Sequence, residues 1–174
     1  MHSPNKTGVE IGVGTGRFAQ PLHIKFGIEP SENMAQLAEK RGIKVYRTLA
    51  EDLPIGNETF DFALMVTTVC FLSDIPKAFG EVHRILKPGG EIILGIIDKN
   101  SSLSRKYQKE KSKNKFYQGA LFHSTEEITQ LLMQAGFHSF NYCQTLAIPG
   151  ADNKVEPPQP GFGEGSFVVI KAMK

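Results

Sequence analysis

The sequence predicts an α/β fold, doubly wound and Rossmann-like, in which helices cover both faces of a mostly parallel sheet. Short apolar runs alternate with segments of helical periodicity along most of the 174 residues, the order typical of this class. The run from Phe60 to Val66 is almost wholly apolar, which is typical of a parallel strand buried on both faces. A glycine cluster follows the first apolar run, where such sheets bind ligands. The length favours one domain over residues 1–174.

Four strands and one helix are predicted in the first half of the chain. The helix begins after Ser31, an N-cap candidate, and ends at Gly42. A shorter helical pattern follows the glycine cluster, and Pro21 lies within it. The predicted strands are residues 8–11, 23–28, 43–49 and 60–66.

The second half of the chain supplies two helices and three strands. Residues 87–90, Lys-Pro-Gly-Gly, predict a turn before the fifth strand. Ser124 and Glu127 have the spacing of a capping box, and the Pro- and Gly-rich residues 149–165 predict a long loop. The predicted helices are residues 74–86 and 124–135, and the predicted strands are residues 91–97, 137–148 and 166–173.

The composition excludes several classes of protein. The 20 Lys and Arg side chains against 18 Asp and Glu give a net charge of +2, so charge favours neither nucleic acid nor a membrane as partner. The longest apolar runs are far shorter than a membrane span, and no signal segment opens the chain. Cys70 and Cys143 form neither a disulfide framework nor a zinc motif. We therefore expect a cytoplasmic protein without a metal site.

One local run of charge departs from this balance. Residues 99–117 carry seven Lys and Arg side chains and one Glu. Such a run suits RNA or an acidic substrate, but aromatic residues are sparse and no RNA-binding motif accompanies it. We interpret the run as a solvated helix face.

The residues from Glu10 to Gly16 form an acid-x-G-x-G-x-G pattern between a strand and a helical segment. Glycines allow a tight turn and a close approach of the main chain to a ligand. A dinucleotide fingerprint requires glycine where Arg17 stands, and no Gly-Lys-Ser/Thr sequence completes a P-loop. Glu29 ends the second strand beside this loop, where a carboxylate can accept both hydroxyls of a ribose.

With four further motifs in order, these residues resemble the class I S-adenosylmethionine-dependent methyltransferases, and most closely the ubiquinone/menaquinone-biosynthesis group, methyltransferase type 11. The resemblance runs from Gly8 to about Phe137. It implies a seven-stranded sheet with an antiparallel last strand, S-adenosylmethionine as cofactor and a small-molecule methyl acceptor. The further motifs are Gly-Ile-Glu-Pro-Ser at 27–31, Ala-Glu-Asp-Leu-Pro at 50–54, Phe-Asp at 60–61 and Glu-Val-His-Arg-Ile-Leu-Lys-Pro-Gly-Gly at 81–90.

The resemblance also implies roles for individual residues. In the glycine loop, Gly12, Gly14 and Gly16 would admit the methionine part of the cofactor. Glu10 would hold the loop or reach the cofactor's amino group through water, and Glu29 would bind the ribose hydroxyls. The remaining cofactor contacts would come from Pro30, Ala50, Glu51, Asp52 and Leu53 around the adenine and from Val66 and Thr67 at the amino end.

The chain departs from the family pattern in three places that bear on the site. Relatives with a His near the end of the fourth strand have a candidate acid/base there, whereas this chain has Thr-Thr-Val-Cys-Phe at 67–71. Leu49 stands where the family commonly has an acid that contacts the adenine amino group, so adenine recognition would depend on Glu51, Asp52 or the backbone. Only seven residues precede Gly8, which is too few to form the helices that close over the site in relatives. We therefore expect a domain without the usual N-terminal cap helices.

Methyl transfer from a sulfonium is an in-line displacement that depends on positioning and desolvation, and it needs a base only when the nucleophile holds its proton. His123 is the candidate base, and its alternative interpretation is a polar residue flanking a helix. Tyr107, Phe116, Tyr117 and Phe122 line either a substrate pocket or the inner face of a cap. The alternative function is a catalytically weak or inactive domain that binds the cofactor or a protein partner. Neither the acceptor's identity nor the oligomeric state follows from these residues.

Overall fold

A computed structural model of the chain describes residues 6–110, 119–146 and 156–174. Eight strands and four helices are formed within these ranges. The strands are β1 (Gly8–Ile11), β2 (Phe26–Ile28), β3 (Lys44–Tyr46), β4 (Phe60–Val66), β5 (Leu86–Ile97), β6 (His138–Thr145), β7 (Gln159–Pro160) and β8 (Phe167–Met173). The helices are α1 (Glu32–Glu39), α2 (Ile75–Ile85), α3 (Ser102–Lys109) and α4 (Thr125–Gln134), and a short 3₁₀ turn covers Val69–Phe71.

The strands form one sheet in the order β3-β2-β1-β4-β5-β8-β6-β7. Strands β1 to β5 run parallel, and β8 is antiparallel to both β5 and β6. The predicted fold class and the antiparallel last strand are confirmed. The sheet has one strand more than the expected seven because residues 159–160 pair with Cys143 and Gln144 at its outer edge.

The central strands are buried on both faces, as the continuous apolar run of β4 predicts. Phe60 is 2% exposed, and Ala63 and Met65 are fully buried. Helix α2 covers one face with Ala78, Phe79 and Val82, all fully buried. The strand order reverses between β1 and β4, so the connections that follow these two strands lead to opposite sides and leave a crevice at the carboxyl ends.

The turn predicted at residues 87–90 is part of strand β5, so that prediction is wrong. Leu86 pairs with Phe60 and Glu91 pairs with Phe62, so the strand carries a bulge between the two pairs. The backbone of Gly89 is left-handed, with φ +72°, and this conformation accommodates the extra residues without breaking the strand.

The helical pattern expected between β1 and β2 is also wrong, because residues 17–23 form turns. The N–H of Gln20 donates to the carbonyl of Gly16, but helical bonding does not continue. Pro21 has no N–H to donate, and His23 has a left-handed backbone with φ 56°. The second strand is consequently confined to residues 26–28.

The basic run contains a helix, α3, over Ser102–Lys109, with the Ser101 side chain accepting from the N–H of Ser104. Residues 111–118 lie outside the described residues, and with them Phe116, Tyr117 and three of the lysines. Residues 149–155 of the expected long loop also lie outside. Within the described ranges, no helix is long and apolar enough to cross a membrane.

Candidate active site

A cleft of about 650 Å³ opens at the point where the strand order reverses. The glycine loop and the end of β2 line one part of the cleft, and the end of β4 with the following 3₁₀ turn lines the part beside it. Residues 49–51 close one side. A crevice at the carboxyl ends of parallel strands is the usual place for a ligand in an open α/β sheet.

The glycine loop needs its glycines for two different reasons. Gly12 and Gly14 line the cleft with left-handed backbones, φ +69° and +53°. A Cβ on Gly12 would lie 2.4 Å from Oγ1 of Thr68, whereas a Cβ on Gly14 would have no heavy atom of the described residues within 4 Å. Gly16 faces away from the cleft, since a Cβ there would lie 2.5 Å from Cδ1 of Ile43. Gly14 therefore opens onto the cleft, and Gly16 allows the loop to pack against the core.

Glu29 is a fixed carboxylate on the cleft wall. One of its oxygens accepts from the N–H of Gly14 at 2.9 Å, and the other accepts from the N–H of Ser31 at 2.9 Å. The residue is only 7% exposed. Each oxygen keeps a lone pair for a further donor, so the carboxylate can accept two hydroxyls while it holds the glycine loop in place.

The structure places some of the predicted adenine-side residues in the lining of the cleft and others outside it. Pro30, Ala50 and Glu51 line the cleft. Oε1 of Glu51 accepts from the N–H groups of Ser73 and Asp74, at 2.9 and 3.2 Å, and so links two segments of the cleft wall.

Asp52 and Leu53 are not part of the cleft lining. Leu53 is 4% exposed and packs in the core, and its N–H donates to Glu81 at 2.9 Å. Leu49 does line the cleft, with 57% of its surface exposed. The edge of the cleft is therefore apolar at this position, where the resemblance would lead one to expect an acid.

Val66 and Thr67 lie where β4 ends, beside the glycine loop, and both line the cleft. Thr67 has φ +52°, an unfavourable conformation for a β-branched residue, and its N–H donates to the carbonyl of Gly95 at 2.8 Å. The adjacent Thr68 and Phe71 also line the cleft, and the sequence motifs did not single them out. Thr68 lies next to Gly12 in the fold, a proximity that the sequence motifs do not indicate.

Glu10 lies beneath the glycine loop and is 1% exposed. The N–H of Ala19 donates to its carboxylate, but Oε2 has no hydrogen-bond partner among the described residues. Burial raises the pKa of this carboxyl to about 8. Glu10 is not part of the cleft lining. The two-hydroxyl acceptor at Glu29 and the open space at Gly14 together fit a nucleoside.

The raised pKa of Glu10 makes a prediction about stability. Between the ordinary pKa of 4.5 and the folded value of about 8, the native state binds more protons than the unfolded state, so raising the pH through this window lowers stability. Glu10→Gln cannot ionise. The quantity to compare is the free energy of unfolding of this variant minus that of the parent. We expect this difference to be roughly 1–3 kcal/mol larger at pH 9 than at pH 5.

Urea unfolding at both pH values measures this difference. Glu126→Gln, which changes an exposed carboxylate, serves as the control and is expected to show no comparable rise. A Glu10→Gln difference that stays flat with pH would mean that the carboxyl is ionised in the folded protein throughout this range.

His123 does not line the cleft, although it lies close to the same edge of the sheet. The N–H of Lys99, just after β5, donates to its carbonyl at 3.0 Å. Its side chain lines a separate small pocket together with Cys70 and Phe122. Burial raises the pKa of the Cys70 thiol to about 11, so this group is neutral near pH 7. The rings of Tyr107 and Phe122 stack, with centroids 6.5 Å apart.

A protein-family model described as a methyltransferase domain matches residues 9–94. Among solved structures, the chain is similar to a crystal structure from Thermotoga maritima described as a "SAM-dependent methyltransferase, possible histamine N-methyltransferase". The TM-score is 0.94 and the identity 53%, over 99% of this chain and 84% of that one.

Two curated relatives match nearly the whole chain. An uncharacterized protein of Methanocaldococcus jannaschii is 47% identical over 99% of this chain and 84% of its own length. An uncharacterized protein of Mycobacterium tuberculosis is 33% identical over 95% of this chain. The match spans only 59% of that mycobacterial protein.

Proposed function

The chain belongs to the S-adenosylmethionine-dependent methyltransferases, and on this premise we propose that it methylates a small molecule by in-line transfer. When bound, S-adenosylmethionine supplies an electrophilic methyl group on a sulfonium that becomes a neutral thioether. The protein's task is to hold donor and acceptor in line and to exclude water. Neither requirement calls for a metal-binding cluster, and the described residues contain none.

The observation that carries the proposal is the arrangement of Glu29 and Gly14. The Glu29 carboxylate binds the N–H of Gly14, so the residue that would accept the ribose hydroxyls also fixes the loop that would border the methionine part. The cleft volume of about 650 Å³ is in the range of cofactor sites. Gly12, Pro30, Ala50, Glu51, Val66 and Thr67 would complete the contacts, with Glu10 below the loop.

A small acceptor is favoured over a nucleic acid by the nearly balanced charge of the whole sequence. The net charge is only +2. Tight nucleic-acid binding depends on a large excess of Lys and Arg facing the phosphates, which a net charge of +2 does not supply.

Calorimetric titration with S-adenosylhomocysteine and with NADH tests the cofactor. We expect the first to bind and the second not to bind. Methyl transfer from labelled S-adenosylmethionine to a panel of small amines and alcohols, with histamine among them, tests the reaction, and bulk RNA is the macromolecular control. Cofactor binding without turnover of any acceptor would favour an inactive cofactor-binding domain, and sub-micromolar RNA binding at physiological salt would contradict the small-molecule acceptor.

A further inference from the structure

The small pocket that contains His123 adjoins the cleft. Thr67 lines both cavities, so the two cavities meet at this residue. On its other side, the pocket shares Phe122 and His123 with a wider cavity that opens to solvent beside Lys99. The small pocket therefore lies between the wider cavity and the cleft, and it shares lining residues with each of them.

The walls of the small pocket are almost entirely apolar. Val69 and Cys70 come from the 3₁₀ turn, Ile96 and Ile97 end strand β5, and Phe122 closes the outer side. Its volume is about 20 Å³, which is room for a group about the size of one water or methyl. Burial keeps the Cys70 thiol protonated near pH 7. His123 is the residue on this wall whose side chain carries a ring nitrogen able to act as a proton acceptor.

The segment that carries His123 is fastened to the sheet at three points. The N–H of Leu121 donates to the carbonyl of Cys70 at 2.8 Å, and the N–H of Lys99 donates to the carbonyl of His123. Asp98, which is 6% exposed, accepts from both the N–H and the hydroxyl of Thr125, at 2.8 and 2.7 Å. The imidazole is thus held at the carboxyl edge of the sheet by a rigid support.

Glu127 faces the imidazole from the first turn of α4. Its Oε2 lies 3.6 Å from Nδ1 of His123 and accepts from the N–H of Ser124, while Lys99 donates to Oε1 at 2.8 Å. Lys99 holds the pKa of the Glu127 carboxyl below its usual range, so an ionised carboxylate lies beside the imidazole. With Nδ1 turned towards Glu127, Nε2 is the nitrogen left for a ligand.

We propose that His123 is the proton acceptor of the methyl transfer, that Glu127 is its positioning residue, and that the acceptor is a small molecule with an N–H or O–H nucleophile on a narrow apolar group. The proposal rests on the proposed function. The nucleophile's lone pair forms the new bond to the methyl carbon, the carbon–sulfur pair stays on sulfur, and the N–H or O–H proton passes to Nε2 of His123. A thioether or tertiary amine has no such proton and would gain nothing from this base.

Binding of acceptor probes provides a test that does not depend on turnover. The probes are n-alkylamines and n-alkanols of one to three carbons, matched to the small volume of the pocket, and they are titrated calorimetrically into protein saturated with S-adenosylhomocysteine. We expect members of the series to bind, and Cys70→Phe or Ile97→Phe to weaken that binding at least tenfold while S-adenosylhomocysteine affinity stays within about twofold. Two filling variants are used because either one alone risks misfolding.

The probe that binds most tightly then serves as acceptor for kinetics. His123→Gln is expected to lower kcat about 100-fold or more and to remove the acid limb of the pH profile. Glu127→Gln should lower kcat less and shift that limb, whereas Glu126→Gln and His138→Gln, which change exposed residues of the same types, should resemble the parent.

Failure of S-adenosylhomocysteine to bind would contradict the proposed function itself. With that binding intact, three results would overturn only the present inference. These are probe binding that is absent or indifferent to both filling variants, a bound probe that is never methylated, and an unchanged pH profile in His123→Gln.

Discussion

Replacing Gly14 by valine is expected to weaken S-adenosylhomocysteine binding at least about 1000-fold, to below calorimetric detection. The backbone there is left-handed, and a Cβ would project into the part of the cleft where no heavy atom of the described residues lies within 4 Å. A branched side chain would fill the space that the ligand needs, at an expected strain of about 1–3 kcal/mol.

Gly42 provides the matched control for this substitution. It also has a left-handed backbone, φ +80°, with no described heavy atom within 4 Å of a Cβ, but it lies after α1 and does not line the cleft. Gly42→Val should lose stability to a similar degree and keep its ligand affinity. Comparable affinity losses in the two variants would place the effect of Gly14→Val in folding and not in the cleft.

Replacing Glu29 by alanine is expected to weaken S-adenosylhomocysteine binding by roughly 1.5–3 kcal/mol, which is about 10- to 150-fold. Two ribose hydroxyls would lose an ionised acceptor. The structure adds a second cause, because the N–H groups of Gly14 and Ser31 would also lose their hydrogen-bond acceptor. Titration of the variant and the parent with S-adenosylhomocysteine measures the total.

Adenosine and 2′,3′-dideoxyadenosine separate these two causes. If Glu29 binds the hydroxyls, the substitution should weaken adenosine binding far more than dideoxyadenosine binding. If it acts only by ordering the glycine loop, the two ligands should lose affinity equally. Unchanged affinity for both would show that the cofactor lies elsewhere.

The parts of the fold that the sequence predicts well depend on patterns that are local in the chain. The apolar run of β4 and the capping box at Ser124 are both where the pattern puts them, because burial on two faces and reciprocal side-chain bonds leave a direct trace in residue types. Residues 87–90 mislead for the same reason. They have the composition of a turn, but pairing with β4 keeps them within a strand as a bulge.

The candidate site shows the same limit. The motifs indicate Glu29 and Gly14 by residue type and position, yet they cannot distinguish Gly14, which opens onto the cleft, from Gly16, which packs against Ile43. They also treat residues 50–53 as one group, although Leu53 turns into the core. The direction of a side chain depends on contacts between distant segments, and a single sequence does not contain them in readable form.

The turns that replace a helix after the glycine loop have an energetic consequence. Phe18 and Leu22 remain 50% and 54% exposed, so this connection buries little apolar surface and its backbone lacks a continuous helical ladder. Segments of this kind open locally at a small free-energy cost, well below that of global unfolding. The same segment leads directly out of the ligand loop. Part of the intrinsic affinity for a ligand would then be spent on holding the connection closed, and amide hydrogen exchange across residues 14–23 would slow when the cleft is filled.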